Sequence, residues 1–260
     1  MKKKLFTFFF IFSLIFGNAQ IVHVRYLYVR SPVAVLYEDL YINKDKVISI
    51  QDSVVSKPMD NSSGWMSDVS VRPLGVSTRI VRKNNFMSNL SGKNPRKIFF
   101  NSAPYSMKDQ NMYFIYDEVP VPVWLINEKE TKKIAGYNCI KATTTFRGSD
   151  ITAYFTKELP YSTGPFKFFG LPGLILDVRV NNKAYMIWRA EKVVIDDKTK
   201  INFNPQFSSY PKITMKDFVK LNDELSNNFS SELAKKLPPG TKLENTNKRF
   251  NVETVFEWEK

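Results

Sequence analysis

The residues in this 260-residue chain that could do chemistry are few: one cysteine, one histidine and scattered carboxylates. The usual zinc sites need three or four His, Cys or carboxylate ligands, which Cys139 and His23 cannot supply between them. A Ser-His-Asp or Cys-His arrangement would have to recruit His23, close to the start of the chain, which removes most familiar hydrolase mechanisms. Cys139 alternates with Tyr137, Lys141 and Thr143 along a strand-like stretch and has no identifiable base beside it. It reads as a buried structural thiol. Glu158 and Asp177 flank an apolar segment and could form the carboxylate pair of glycoside chemistry. With 25 acids in the chain, such a pair also arises by chance, leaving an edge charge and a strand-end solvent contact. Trp188-Arg189 could stack on or bind an anion; in an alternating strand it is an inward Trp beside an outward Arg.

The apolar segment itself, GPFKFFGLPGLILDV from Gly164 to Val178, holds three glycines and two prolines. A phosphate loop would need a Lys followed by Ser or Thr at the start of a helix. Here Gly173 runs into Leu174, Ile175 and Leu176, a strand. The dinucleotide fingerprint fails in the same way, because these glycines precede a strand instead of following one. A corner fits better. Gly170 and Gly173 permit backbone angles closed to other residues, and Pro172 between them suits a type II turn over Leu171-Pro172-Gly173. Gly164, Pro165, Phe166, Phe168, Phe169, Gly170, Leu171, Pro172, Gly173, Leu174 and Ile175 then form either a buried structural corner or a lip that touches ligand or membrane.

Period-two alternation rich in β-branched and aromatic residues dominates the rest of the chain. Strands are expected over residues 21–30, 78–83, 96–101, 112–118, 123–128, 133–147, 151–156, 174–180 and 184–195, with a hairpin over 37–50 turning at Asn43-Lys44-Asp45-Lys46. Further turns are expected at 130–133, 148–150 and 181–183, and residues 57–74 read as irregular loop. Thr214 caps a helix with Asp217 in the capping-box position. Phe218, Leu221, Leu225, Phe229, Leu233 and Leu237 make one apolar stripe before Pro238-Pro239-Gly240 stops it. Residues 249–259 alternate as a closing strand. The expected fold is mainly β or α+β: an antiparallel meander forming a partly closed, half-barrel-like sheet with one long helix packed on it.

Bulk composition places the chain in a compartment. Lys2-Lys3-Lys4, a Phe-rich apolar run to Phe16 and Gly17-Asn18-Ala19 have the layout of a secretory signal peptide, too short to span a bilayer. Residues 1–19 are the expected signal peptide, and 20–260 a single domain starting at Gln20 and lacking any transmembrane span. The expected location is the periplasm, the cell surface or the extracellular space. The net charge of +13 includes the three leader lysines, and the remaining basic residues are interspersed with acids, as in Glu128-Lys129-Glu130-Thr131-Lys132-Lys133. That pattern describes a solvated basic surface and not a nucleic-acid site. A single cysteine allows no internal disulfide, so the hydrophobic core must supply stability.

Gly170-Leu171-Pro172-Gly173-Leu174-Ile175 matches letter for letter the motif naming the GLPGLI family of exported Bacteroidota proteins, first noted in Porphyromonas. Gly136-Tyr137-Asn138-Cys139 resembles that family's "aGYxCxKA" strand, and Ala153-Tyr154-Phe155-Thr156 its "AWYT" strand. Leu159-Pro160 through Gly164-Pro165 resembles its "iPxxxGPxxF" approach. The resemblance is strong over residues 124–192 and departs at Phe155, where the family carries Trp-Tyr together. It implies export, and no activity, cofactor or catalytic residue. The Trp-led strand, the "GY-C-K" strand and the meander with one helix also look like the open half-barrels of periplasmic lipoprotein carriers, an analogy of fold alone.

The expectation is therefore a cell-envelope protein that is not an enzyme and uses no cofactor or metal. It would bind an apolar or lipid-like ligand in a groove between sheet and helix. The alternatives are an envelope interaction or scaffold protein with a filled core, and a hydrolase working through carboxylates.

Overall fold

A computed structural model of the protein describes residues 20–31, 34–54, 83–92, 94–104, 111–236, 238, 249 and 251–260. The expected signal peptide, most of the 78–83 strand and the 57–74 loop lie outside the described residues.

Twelve strands form one sheet: β1 (Ile21–Ser31), β2 (Ala34–Asn43), β3 (Lys46–Val54), β4 (Asn84–Asn89), β5 (Arg96–Ser102), β6 (Tyr113–Val119), β7 (Leu125–Ile134), β8 (Tyr137–Phe146), β9 (Ser149–Thr156), β10 (Leu174–Val180), β11 (Ile187–Ile195) and β12 (Lys212–Thr214). Their spatial order is β12-β6-β5-β4-β3-β2-β1-β11-β10-β9-β8-β7. Two antiparallel meanders, β1 to β6 and β7 to β11, are thus sewn together along the antiparallel β1–β11 pair. Only β12 runs parallel to its neighbour, β6. The sheet is partly closed, with β12 and β7 as its edges.

Alternation decides which side each residue takes. Along β1, Val22, Val24 and Tyr26 are buried while Arg25 is exposed. One apolar cluster draws on both meanders, including Ile115 and Val119 of β6 and Phe146 and Phe155 of β8 and β9. The sheet therefore curls until its wings share an interior. Trp188 faces that interior, fully buried, and Arg189 points away, as alternation requires.

The turns follow backbone chemistry more closely than composition. The expected turn at 130–133 is instead a bulged, exposed part of β7. The chain reverses at Ala135-Gly136, both with positive φ, where glycine removes the steric cost. The strand over 84–89 was not expected, because NNFMSN looks polar. Its Asn85 is paired inside the sheet, the backbone N–H donating to Asn101 Oδ1 at 2.8 Å.

The helix α1 (Met215–Ala234) begins as expected: the Asp217 N–H donates to Thr214 Oγ1 at 3.1 Å, and that hydroxyl donates to Asp217 Oδ2 at 2.6 Å. Leu233 and Leu237 of the expected stripe lie outside the described side chains, and the rest of the stripe packs only in part. Met215, Phe218 and Val219 are buried, Phe218 against Tyr113, but Phe229 is 54% exposed. The helix touches β6 and β12 at the sheet's edge. Among its described residues the tail forms no strand. Val252 and Phe256 drop into the core, the Thr254 and Val255 N–H groups donate to Arg147 O, and a 3-10 turn closes Glu257–Glu259.

Candidate functional site

The concave side of the sheet is filled by the chain itself. Residues 157–173, between β9 and β10, fold inward and back, with the Leu174 N–H donating to Leu159 O at 2.9 Å and the Ile175 N–H to Thr163 O at 3.0 Å. Phe168, Phe169 and Leu171 are at most 2% exposed. Phe166 stacks on Trp188 and meets Phe86 edge-on, while Phe168 packs on Phe146 and Trp188, so the segment bridges both wings. Arg96 lies over the Phe169 ring at 3.9 Å and donates to Ser162 O at 3.1 Å; burial lowers its pKa to about 10. In the motif, Gly170 and Pro172 reach the surface, while the large side chains of Phe168, Phe169 and Leu171 are buried and Phe166 is half-buried.

Its glycines differ from the expected type II turn. Gly170 has φ +94, beneath Val121, Pro122 and Trp124, whose Nε1 donates to Phe169 O at 2.8 Å. Gly173 is outside the left-handed region, so position three of a type II turn is not what it serves. A Cβ there would stand 2.0 Å from Thr156 O. Gly173 lets β10 begin against the end of β9.

Two polar centres hold this segment, and neither was foreseen. The Glu38 carboxylate, fully buried on β2, accepts from Ser49 Oγ at 2.5 Å, Gln51 Nε2 at 2.6 Å, the Phe166 N–H at 2.6 Å and Trp188 Nε1 at 2.8 Å. The second is an ion cluster around Lys167. Its Nζ donates to Asp117 Oδ2 at 2.7 Å and to the two Glu253 oxygens at 2.9 and 2.8 Å. Arg147 binds Asp117 through two parallel bonds of 2.8 and 2.9 Å, bonds Glu253 through Nη1, and reaches Glu257 at 3.1 Å. Burial pushes the Asp117 carboxyl up, but the Lys167 ammonium and Arg147 guanidinium outweigh it and hold the carboxyl below the ordinary range. A lysine inside an aromatic run is itself a sequence signal, since a buried ammonium must find carboxylates.

The other candidates are dispersed. Asp177 is buried on β10, bonded by Lys132 Nζ at 3.0 Å, whereas exposed Glu158 accepts the Asn138 N–H at 3.0 Å; the two carboxylates serve different partners. Cys139 is fully buried, and that burial pushes its thiol up to about 12. His23 lies on the outer face, stacked on Tyr41, with Nε2 2.6 Å from Asp39 and Nδ1 2.8 Å from Asp197. Among the described residues, no group of three or more His, Cys, Asp or Glu could hold a metal ion.

The outer face carries an open groove of about 650 Å³. Outward side chains of the β3–β6 wing, with Met87, Phe99 and Phe114 prominent, form its floor, and Phe203 and Pro205 of the segment after β11 form a wall. Among the described residues, Lys46 and Lys97 are its charged lining residues, and no carboxylate lines it.

Comparison with known proteins bears on the filled corner. A family model described as "Protein of unknown function (Porph_ging)" matches residues 146–177, from the end of β8 through the inward fold to β10. Over residues 146–177 the chain is similar to the GLPGLI-type family. The matched residues include Arg147, Phe166, Lys167 and Phe168, so the matched stretch supplies two members of the ion cluster as well as its aromatic cover. Two solved structures, titled as PNGF-II in the C2 and P21 space groups, are similar at 14% identity, with TM-scores of 0.48 and 0.44. Each match covers 78% of this chain and 33% of the other, so the chain spans about a third of the PNGF-II length. No curated protein matches the chain by sequence.

Proposed function

We propose that the protein is exported to the cell envelope and binds, without catalysis, an amphipathic ligand with an apolar body and an anionic group. Export rests on the layout of residues 1–19, and no helix among the described residues is long and apolar enough to cross a membrane. The observation that carries the ligand reading is the outer groove, with Met87, Phe99, Phe114 and Phe203 beside two lysines and, among the described residues, no lining carboxylate. Aromatic and thioether surface takes up an alkyl chain, and the ammonium groups favour a carboxylate or sulfate at its end. The groove between sheet and helix expected from the sequence is not the place, because residues 157–173 fill that interior.

Titration with laurate and with methyl laurate, followed by calorimetry, tests the reading. Laurate binds saturably, and Lys46→Ala combined with Lys97→Ala weakens it about tenfold, a loss near 1.4 kcal/mol. The ester is unaffected by the same change. Equal weakening of both ligands, or no saturable binding, removes the groove as an anion site.

A second reading, an envelope scaffold with a filled core, is favoured by the exposed edge. Val123 is 83% and Leu125 72% exposed at and just before edge strand β7, where an extended partner segment could add to the sheet. Loss of envelope crosslinks on Leu125→Asp, with laurate binding intact, selects this reading over the first.

A further inference from the structure

We propose that Lys167 and Asp117 react to form an intramolecular isopeptide bond that fastens the family segment to β6. The nucleophile and acceptor are already in contact, Nζ to Oδ2 at 2.7 Å, and both side chains are at most 1% exposed. Orientation of this kind replaces most of the entropy a bimolecular condensation would lose. The Phe100 ring lies 4.5 Å from Nζ and the Phe166 ring 5.3 Å, so the amide, once formed, is shielded from water.

The neighbours supply the remaining parts. Glu253 bonds Nζ through both oxygens and is placed to relay protons. Arg147 Nη2 bonds Asp117 Oδ1 at 2.9 Å, where negative charge gathers in the tetrahedral intermediate. The ammonium gives one proton to Asp117 Oδ2, leaving a neutral amine and a carboxylic acid. The amine then adds to Cγ, forming the C–N bond. Glu253 takes a second proton from the nitrogen and returns it to the protonated Oδ2, which leaves as water when the C–O bond breaks. Three ammonium hydrogens become one amide hydrogen and two in water, and Glu253 ends as it began. No oxidant or co-reactant is needed.

Charge balance favours the product. The ammonium and carboxylate that react are both buried, at a desolvation cost that pairing only partly repays. Condensation removes both charges and leaves Arg147 matched to Glu253.

Intact mass and peptide mapping of the folded full-length chain test this. The expected result is a mass lighter by one water, with a single branched peptide joining the stretch that contains Asp117 to the one that contains Lys167. Cyclisation of an N-terminal glutamine loses ammonia and maps elsewhere. Glu253→Gln and Lys167→Arg should each restore the full mass, and denatured wild type should run faster on a gel than either. A folded wild type whose Lys167 and Asp117 peptides are recovered separately at full mass overturns the proposal, whatever the variants do.

Discussion

Gly173→Ala places a methyl group against backbone that cannot rotate away. The added Cβ would stand 2.0 Å from Thr156 O, 2.8 Å from Thr156 C and 3.2 Å from Lys157 N. An ordinary contact needs about 3.4 Å or more, so the start of β10 must move by over an ångström relative to β9. That movement strains the Leu174–Thr156 pairing and the Leu174 N–H bond to Leu159 O. Losing two or three such bonds, at roughly 0.5–1.5 kcal/mol each, gives a cost of about 1–4.5 kcal/mol. The lower conformational entropy of the unfolded alanine chain offsets about 0.4–1 kcal/mol of that cost. Gly136→Ala is the control. Its φ is +92 but nothing lies within 4 Å of the new Cβ, so only the left-handed backbone is charged, about 1–2 kcal/mol. Urea unfolding of the two variants, with unchanged slopes, compares them directly. If Gly173→Ala costs no more than Gly136→Ala, close approach to Thr156 is not why glycine stands there.

Acidification should weaken the outer face. Burial raises the Asp39 pKa, but bonds from His23 and Arg25 outweigh it and hold the folded-state value below the ordinary one. Its stabilisation is therefore complete above the unfolded pKa, about 3.9, and is lost as pH falls through the folded value. Asp39→Asn should lower the urea midpoint at neutral pH, with the gap from wild type closing as pH falls through the folded value; a gap independent of pH refutes the linkage. Cys139 should label only slowly with a polar thiol reagent at neutral pH, because the thiol is fully buried and raised to about 12; rapid labelling of folded protein contradicts this. On the helix, Phe218→Ala should cost about 3–5 kcal/mol and Phe229→Ala less than about 0.5, since the first is 6% and the second 54% exposed; comparable losses would mean that the far half of α1 is packed too.

What the sequence revealed and what it hid divide by range. The hairpins, the Thr214 cap and the start of β10 are local: period two, a hydroxyl three residues before an acid, and a glycine before Leu-Ile-Leu mark them. The ion cluster is not local. Lys167 meets Asp117 fifty residues away and Glu253 eighty-six away, and no spacing rule joins them. The tail shows the same limit from the other side. Val252 and Phe256 alternate with polar neighbours, which looks like a strand, yet their burial is satisfied by anchoring beside Arg147 without any ladder. The helix stripe misled for a related reason. Six apolar residues at helical spacing state that a face could be buried, but only tertiary contact decides how far the partner surface extends, and here the buried apolar residues, Met215, Phe218 and Val219, lie in the first two turns. The groove depends on residues 201–205, whose Asn and Pro mark a loop while Phe203 within it supplies a wall. Lys167 was the one legible clue to the hidden centre. A charged residue between Phe166 and Phe168 must either reach water or be paired, and in a segment this apolar the pairing has to come from elsewhere in the fold.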